Sequence, residues 1–76
     1  MTLTQMSALL AVLDYGGFTE AGKRLYMTQS AVSQAISSIE DELAVKIFIR
    51  ERARAVQLTP VGERIVSRIR NVMQEV

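Results

Sequence analysis

A mainly α-helical fold is what the sequence predicts: three helices, a two-stranded hairpin and a longer closing helix. Three observations carry that expectation. Apolar residues recur three and four positions apart over residues 3–13, 32–43 and 61–76, the period of a helix with one buried face. Thr2, Thr28 and Thr59 each stand just before a helical stretch, where a hydroxyl takes up unpaired N–H groups of the first turn. Between the last two stretches lie two short β-prone runs, 47–50 and 55–58.

The first helix is expected from Leu3 to about Tyr15. Thr2 followed by Gln5 is a capping-box pattern, and Leu3, Met6, Leu9, Leu10 and Leu13 form the core stripe. Gly16-Gly17 stops it. Thr19 reads as the N-cap of a short second helix, with Glu20 at its positive end, Ala21 and Leu25 facing inward, and Lys23-Arg24 at the end where the dipole favours cations. Gly22 costs about 1 kcal/mol against Ala inside a helix, which predicts the close approach of another helix there. Tyr26-Met27 form the turn, and Tyr26 is assigned a structural role, in that turn or in the core, in preference to that of a phosphate donor.

Thr28 caps the third helix, residues 29–43. Steps of about 100° per residue put Val32, Ile36, Ile39 and Leu43 on one stripe. Ser30, Ser33 and Ser37, flanked by Gln29 and Gln34, fall more than a quarter-turn away. The helix can therefore pack and present polar groups at once. The two β-prone runs form a hairpin whose tip, 51–54, is basic, although no Gly or Asn marks the turn. Thr59-Pro60 starts the closing helix, since Pro is tolerated at the first helical position. Along it Val61, Ile65, Ile69, Val72 and Val76, with Met73 beside them, keep close to the spacing of a helix–helix seam.

At 76 residues the chain makes one small domain, and 49% hydrophobic with 22% charged residues is globular composition. No apolar run is long enough to span a bilayer, and the start lacks the basic and apolar regions of a signal peptide. Without Cys or His there is no disulfide or thiolate chemistry, and a metal would find only carboxylates. An enzyme would have to rest on carboxylates, Lys or hydroxyls; Glu40-Asp41-Glu42 reads as a solvated cluster, and no nucleophile–base spacing stands out. Net charge is only +1, but Lys46, Arg50, Arg52, Arg54, Arg64, Arg68 and Arg70 face only Glu51 and Glu63 over residues 43–70, which predicts one positive side.

A helix pair whose second member offers polar residues from its first turns is a helix-turn-helix, and the basic hairpin makes it a winged one. No charge occurs from Leu25 to Ile39, where solubility alone would more usually place Lys and Glu. Gln29, Ser33 and Gln34 are the candidate base readers, with Ser37 on the same face. Gln makes two hydrogen bonds to adenine, whereas Ser is less selective. Thr28, Ser30 and the free N–H groups of the helix start suit a phosphate. Arg52 and Arg54 suit the minor groove or the DNA backbone. Taken singly, a Ser-rich face is more often solvated surface, and such arginines are more often exposed turn charges; the combination is the specific signal. The rival of a winged helix used only for protein contact would want apolar anchors on that outer face, which are missing.

With Phe18-Thr19, Ala21, Arg24-Leu25, Thr28-Gln29, Ala31-Val32-Ser33, Ile36, Ile39-Glu40, Glu42-Leu43, Val45, Ile47-Phe48, Arg50 and Leu58-Thr59-Pro60-Val61-Gly62-Glu63 in register, the chain resembles the N-terminal domain of LysR-type transcriptional regulators over essentially its whole length. The resemblance implies a winged helix-turn-helix over residues 1–58 and a linker helix over 59–76. It also implies a homodimer through that helix, a tetramer in longer relatives, and a C-terminal effector-binding domain not contained in this chain. Several positions depart from the family pattern. Ser30 stands where Pro is common, Gln34 and Ala35 where Arg and Gln are frequent, Ser37-Ser38 where basic residues are common, and Ala44 where Gly is common.

The resulting expectation is a cytoplasmic, sequence-specific binder of double-stranded DNA, acting as a homodimer on an inverted repeat to repress or activate transcription. Its DNA-binding residues are Thr28, Gln29, Ser30, Ser33, Gln34, Ser37, Arg52 and Arg54. Its dimerisation residues are Val61, Ile65, Ile69, Val72, Met73 and Val76. No metal or cofactor belongs to this chain, and a small-molecule effector belongs to the C-terminal domain.

Overall fold

The computed structural model describes residues 1–49 and 56–74. Four helices and a minimal hairpin follow in the order α1 (Leu3–Asp14), α2 (Phe18–Leu25), α3 (Gln29–Leu43), β1 (Phe48–Ile49), β2 (Gln57–Leu58) and α4 (Pro60–Gln74). α1 is the central element and packs against α2, α3 and α4. Leu9, Val12, Val32, Ile36, Ile39 and Ile47 are the fully buried large side chains, so the core lies between α1, α3 and the start of the hairpin.

The capping box of α1 is formed: Gln5 N–H donates to Thr2 Oγ1 (3.0 Å), and Thr2 N–H donates to Gln5 Oε1 (3.1 Å). Its buried arc differs from the expected stripe. Ala8, Leu9, Ala11 and Val12 are buried, Met6, Leu10 and Leu13 are half-buried, and Leu3 is exposed. The two alanines lack bulk, so neighbouring helices approach closely there, while the Leu/Met side borders α4, which covers only part of it.

α2 begins two residues earlier than Thr19 as N-cap predicts. Gly17, at φ +142°, is the N-cap; its carbonyl accepts from Ala21 N–H (3.0 Å), and Thr19 lies exposed within the first turn. Starting at Phe18 brings that ring edge-on to Phe48, with centroids 5.8 Å apart. Gly22 is needed for close approach, to the turn after its own helix and also, as predicted, to the start of the next, α3, whose Gln29 N would lie 3.5 Å from a Cβ there. A Cβ there would stand 2.6 Å from the Met27 carbonyl oxygen.

α3 has the predicted bounds. Thr28 Oγ1 accepts from Ala31 N–H (3.0 Å), and Val32, Ala35, Ile36, Ile39 and Glu40 are buried. Two expectations need correction. Leu43 is 38% exposed, because it sits at the edge of a groove and not inside the core. Glu40 is no member of a solvated cluster: it is buried, and its Oε2 accepts from Ile47 N–H (2.8 Å) and Phe48 N–H (3.4 Å). Asp41 and Glu42 remain exposed.

The hairpin pairs Phe48 with Leu58 and Ile49 with Gln57, antiparallel. It is shorter at its base than predicted because Ile47, opposite Thr59 in the register, spends its N–H outside the ladder. Its N–H goes to Glu40, and its carbonyl accepts from Thr59 N–H (2.9 Å) and Thr59 Oγ1 (3.3 Å). The expected tip, 51–54, with Arg52 and Arg54, lies outside the described residues. Thr59 caps α4 through Gly62 N–H (2.9 Å), and its hydroxyl donates to Lys46 O (2.5 Å), tying the hairpin base to the helix start.

Candidate nucleic-acid interface

The outer side of α3 is built by periodicity: once Val32, Ile36 and Ile39 are buried, Ser30, Gln34 and Ser38 must point away. Gln29, Ser30 and Gln34 are exposed, and Ser33 and Ser37 are half-buried on the shoulder of the same surface. Thr28 is exposed beside them, its hydroxyl oxygen already accepting from Ala31 N–H; its O–H remains available to donate. The structure thus brings all six α3-side candidates onto one surface at the start of the helix. The N–H groups of the first turn open toward the same end, where the helix dipole favours an anion.

Asp41 was missed by the sequence reading of this face. It lies eleven residues beyond Ser30, close to a whole number of turns, so it stands in line with Ser30 about 16 Å further along the axis. An exposed carboxylate there repels phosphates. The surface is therefore polarised: a neutral, hydrogen-bonding N-terminal half and an acidic far end.

The expected positive side is thinner than the sequence suggests. Arg70 donates to Asp14 at 2.8 and 3.4 Å, joining α4 to α1, and that hydrogen bond raises its pKa. Lys46, Arg64 and Arg68 are exposed. At the end of α2, Lys23 pairs with Glu20 (3.3 Å) and the Arg24 guanidinium lies 4.5 Å from the Tyr15 ring centroid. Tyr26, expected to serve structure, is 97% exposed, so its ring packs on nothing.

The predicted seam on α4 divides in two. Ile69 is 4% exposed within the protomer, and Met73 packs on the same core, together with Val66 and Gly62. This corrects the assignment of Ile69 to a surface seam, since α1 packs against α4 and covers it, while Met73 is only half-buried. Val61 and Ile65 are half-buried and Val72 is 50% exposed, forming a flank beside the core-facing side; Val76 lies outside the described residues. Met6, Leu43, Ile65 and Val72 border an apolar groove of about 310 Å³, with Arg68 at its rim.

Among the described residues no group of acidic side chains could hold a metal ion, and no helix is long and apolar enough to cross a membrane.

Comparison with known proteins points to one family. Residues 3–63 match the bacterial regulatory helix-turn-helix proteins of the lysR family. The chain is 47% identical over 74 residues to the HTH-type transcriptional regulator YvbU of Bacillus subtilis, covering 97% of this chain and 25% of that protein. It is 37% identical to a probable nitrogen assimilation transcriptional activator of Synechococcus elongatus, covering 99% of this chain and 24% of that protein. The chain thus spans about a quarter of the length of either relative. Among solved structures it is similar to the BenM DNA-binding domain bound to catB site 1 DNA, with a TM-score of 0.91 and 27% identity, covering 99% of this chain and 80% of that one. A winged helix-turn-helix with these capped helices, this register of hairpin and closing helix, and these relatives is no enzyme: the chain belongs to the LysR family of bacterial transcription regulators, as its DNA-binding domain.

Proposed function

We propose that this chain reads double-stranded DNA by laying the N-terminal half of α3 in the major groove, as one half of a homodimer on an inverted repeat. The observation that carries this reading is the exposed, uncharged surface of Gln29, Ser30, Ser33, Gln34 and Ser37 on a helix whose other side is locked in the core. Gln29 and Gln34 recognise adenine through paired hydrogen bonds, each worth about 1–3 kcal/mol of discrimination when well formed, and Ser33 and Ser37 add less selective contacts. Thr28, Ser30 and the free N–H groups of the first turn hold a phosphate. Arg52 and Arg54, which the sequence alone assigns to the hairpin tip, add contacts to the minor groove or backbone.

Symmetry supplies the second half. Two copies joined through α4 present two recognition helices, and two-fold symmetry demands two half-sites of opposite orientation. Val61, Ile65 and Val72 offer the flank for that contact, and the neighbouring apolar groove gives a partner helix somewhere to seat. In the longer protein a separate domain senses a small molecule, and the regulator works in the cytoplasm, where the chromosome is.

Selection of bound sites from random duplexes tests the reading. A palindromic motif is the expected product. Recovery of no motif, with wild-type protein binding all sequences equally, would remove base reading by α3.

A further inference from the structure

Tyr26 is held at a conformational cost that returns little within the protomer. Its backbone is left-handed, φ +58° and ψ +42°, a conformation about 1–2 kcal/mol unfavourable for an L residue other than Gly. Its side chain is 97% exposed and meets no hydrogen-bond or ring partner among the described residues. The turn itself does not need a phenol: α2 is closed by backbone groups, with Met27 N–H donating to Gly22 O at 2.8 Å. Glycine or asparagine would make the same turn at lower cost. Strain held without a local benefit is a reason to look for function.

The position supplies one. Tyr26 lies two residues before Thr28, the cap of α3, hence within about 7 Å of it along the chain. A fully exposed phenol two residues before that cap is a near neighbour of the helix end where the first-turn N–H groups favour an anion. A tyrosine hydroxyl is a neutral donor on a stiff ring with only two side-chain torsions, so immobilising it is cheap. We propose that Tyr26 is a further DNA-binding residue, its hydroxyl donating to a phosphate oxygen next to the one held by the start of α3. The inference rests on the major-groove reading of α3 and adds an anchor that sets the helix's entry into the groove.

The test uses duplexes of the sequence recovered by selection and mixed-sequence duplexes of equal length. Tyr26→Phe is expected to bind both about three- to tenfold more weakly, with an unchanged salt slope because no charge is lost. Tyr26→Asn should bind as weakly while melting no lower than wild type, since asparagine tolerates the left-handed turn. Methylphosphonate substitution, one phosphate at a time, should find a position where wild type loses affinity and Tyr26→Phe loses no more. Equal affinities of Tyr26→Phe and wild type, or additive losses at every phosphate, overturn the inference alone. A loss confined to the selected sequence points to a base contact and overturns the phosphate assignment. A marked drop in melting temperature for Tyr26→Asn means the ring supports the fold, which also defeats it. Wild-type protein that binds no duplex removes the α3 reading itself.

Discussion

Two residues at the end of α3 decide how the hairpin is hung on the helices. Glu40 is buried and serves as the acceptor for two backbone N–H groups of the chain entering β1. Removing it leaves those donors unpaired in the interior, where a lost partner costs about 1–3 kcal/mol. Glu40→Ala should therefore lower the free energy of unfolding by about 2 kcal/mol, read from the urea midpoint, with Glu40→Gln losing less because it keeps an acceptor. Four residues on, Ala44 ends the helix at φ +56°. Glycine occupies that region without strain but loses more entropy on folding. Ala44→Gly is expected to stabilise the domain by roughly 0.5–1 kcal/mol; a lower melting temperature would contradict the strain assigned to this cap.

At the scale of elements, α4 has one side committed to the protomer and one flank left over. Ile69 fills the core between α4 and α1, so Ile69→Ala should destabilise by about 2–5 kcal/mol, the cost of a buried cavity. Ile69→Asp would unfold the protomer before it reported on any partner. Val72, half exposed, is the cleaner probe of association. Val72→Asp should leave the urea midpoint nearly unchanged while sedimentation shows the dimer dissociating; an unaltered dimer would mean that association uses another surface. The Asp14–Arg70 bridge also ties α1 to α4, yet both side chains are more than two-fifths exposed, which limits it to less than about 1 kcal/mol. The raised pKa of Arg70 means that its share of this stabilisation is complete below the unfolded value and lost only above the folded one. Arginine stays charged throughout the working range, so it adds no pH dependence there.

For the whole molecule, charge and hydrogen bonding are set apart. The α3 surface is neutral at its N-terminal end and acidic at Asp41, while Arg70 is engaged with Asp14. Binding to mixed-sequence DNA should accordingly show a shallow salt dependence, well below the slope of about ten phosphate contacts. A fluorescence-anisotropy titration at several salt concentrations measures it, and a slope near ten would show that cations elsewhere dominate.

What the sequence by itself determined was local. The caps at Thr2, Thr28 and Thr59, the bounds of α3, its polar outer side and the antiparallel hairpin depend on neighbours a few residues away, and period and cap chemistry report those directly. The tertiary structure alone decided which apolar residues are shared with distant elements. Ile69 turned inward because α1 is there to receive it, and Leu43 lies open because α4 passes beside it without covering it. Glu40 was drawn inside by backbone donors seven and eight residues away, and Tyr26 was left in water because no element packs on its side of the turn. Burial and long-range pairing depend on where other elements lie, and a one-dimensional period carries no record of that.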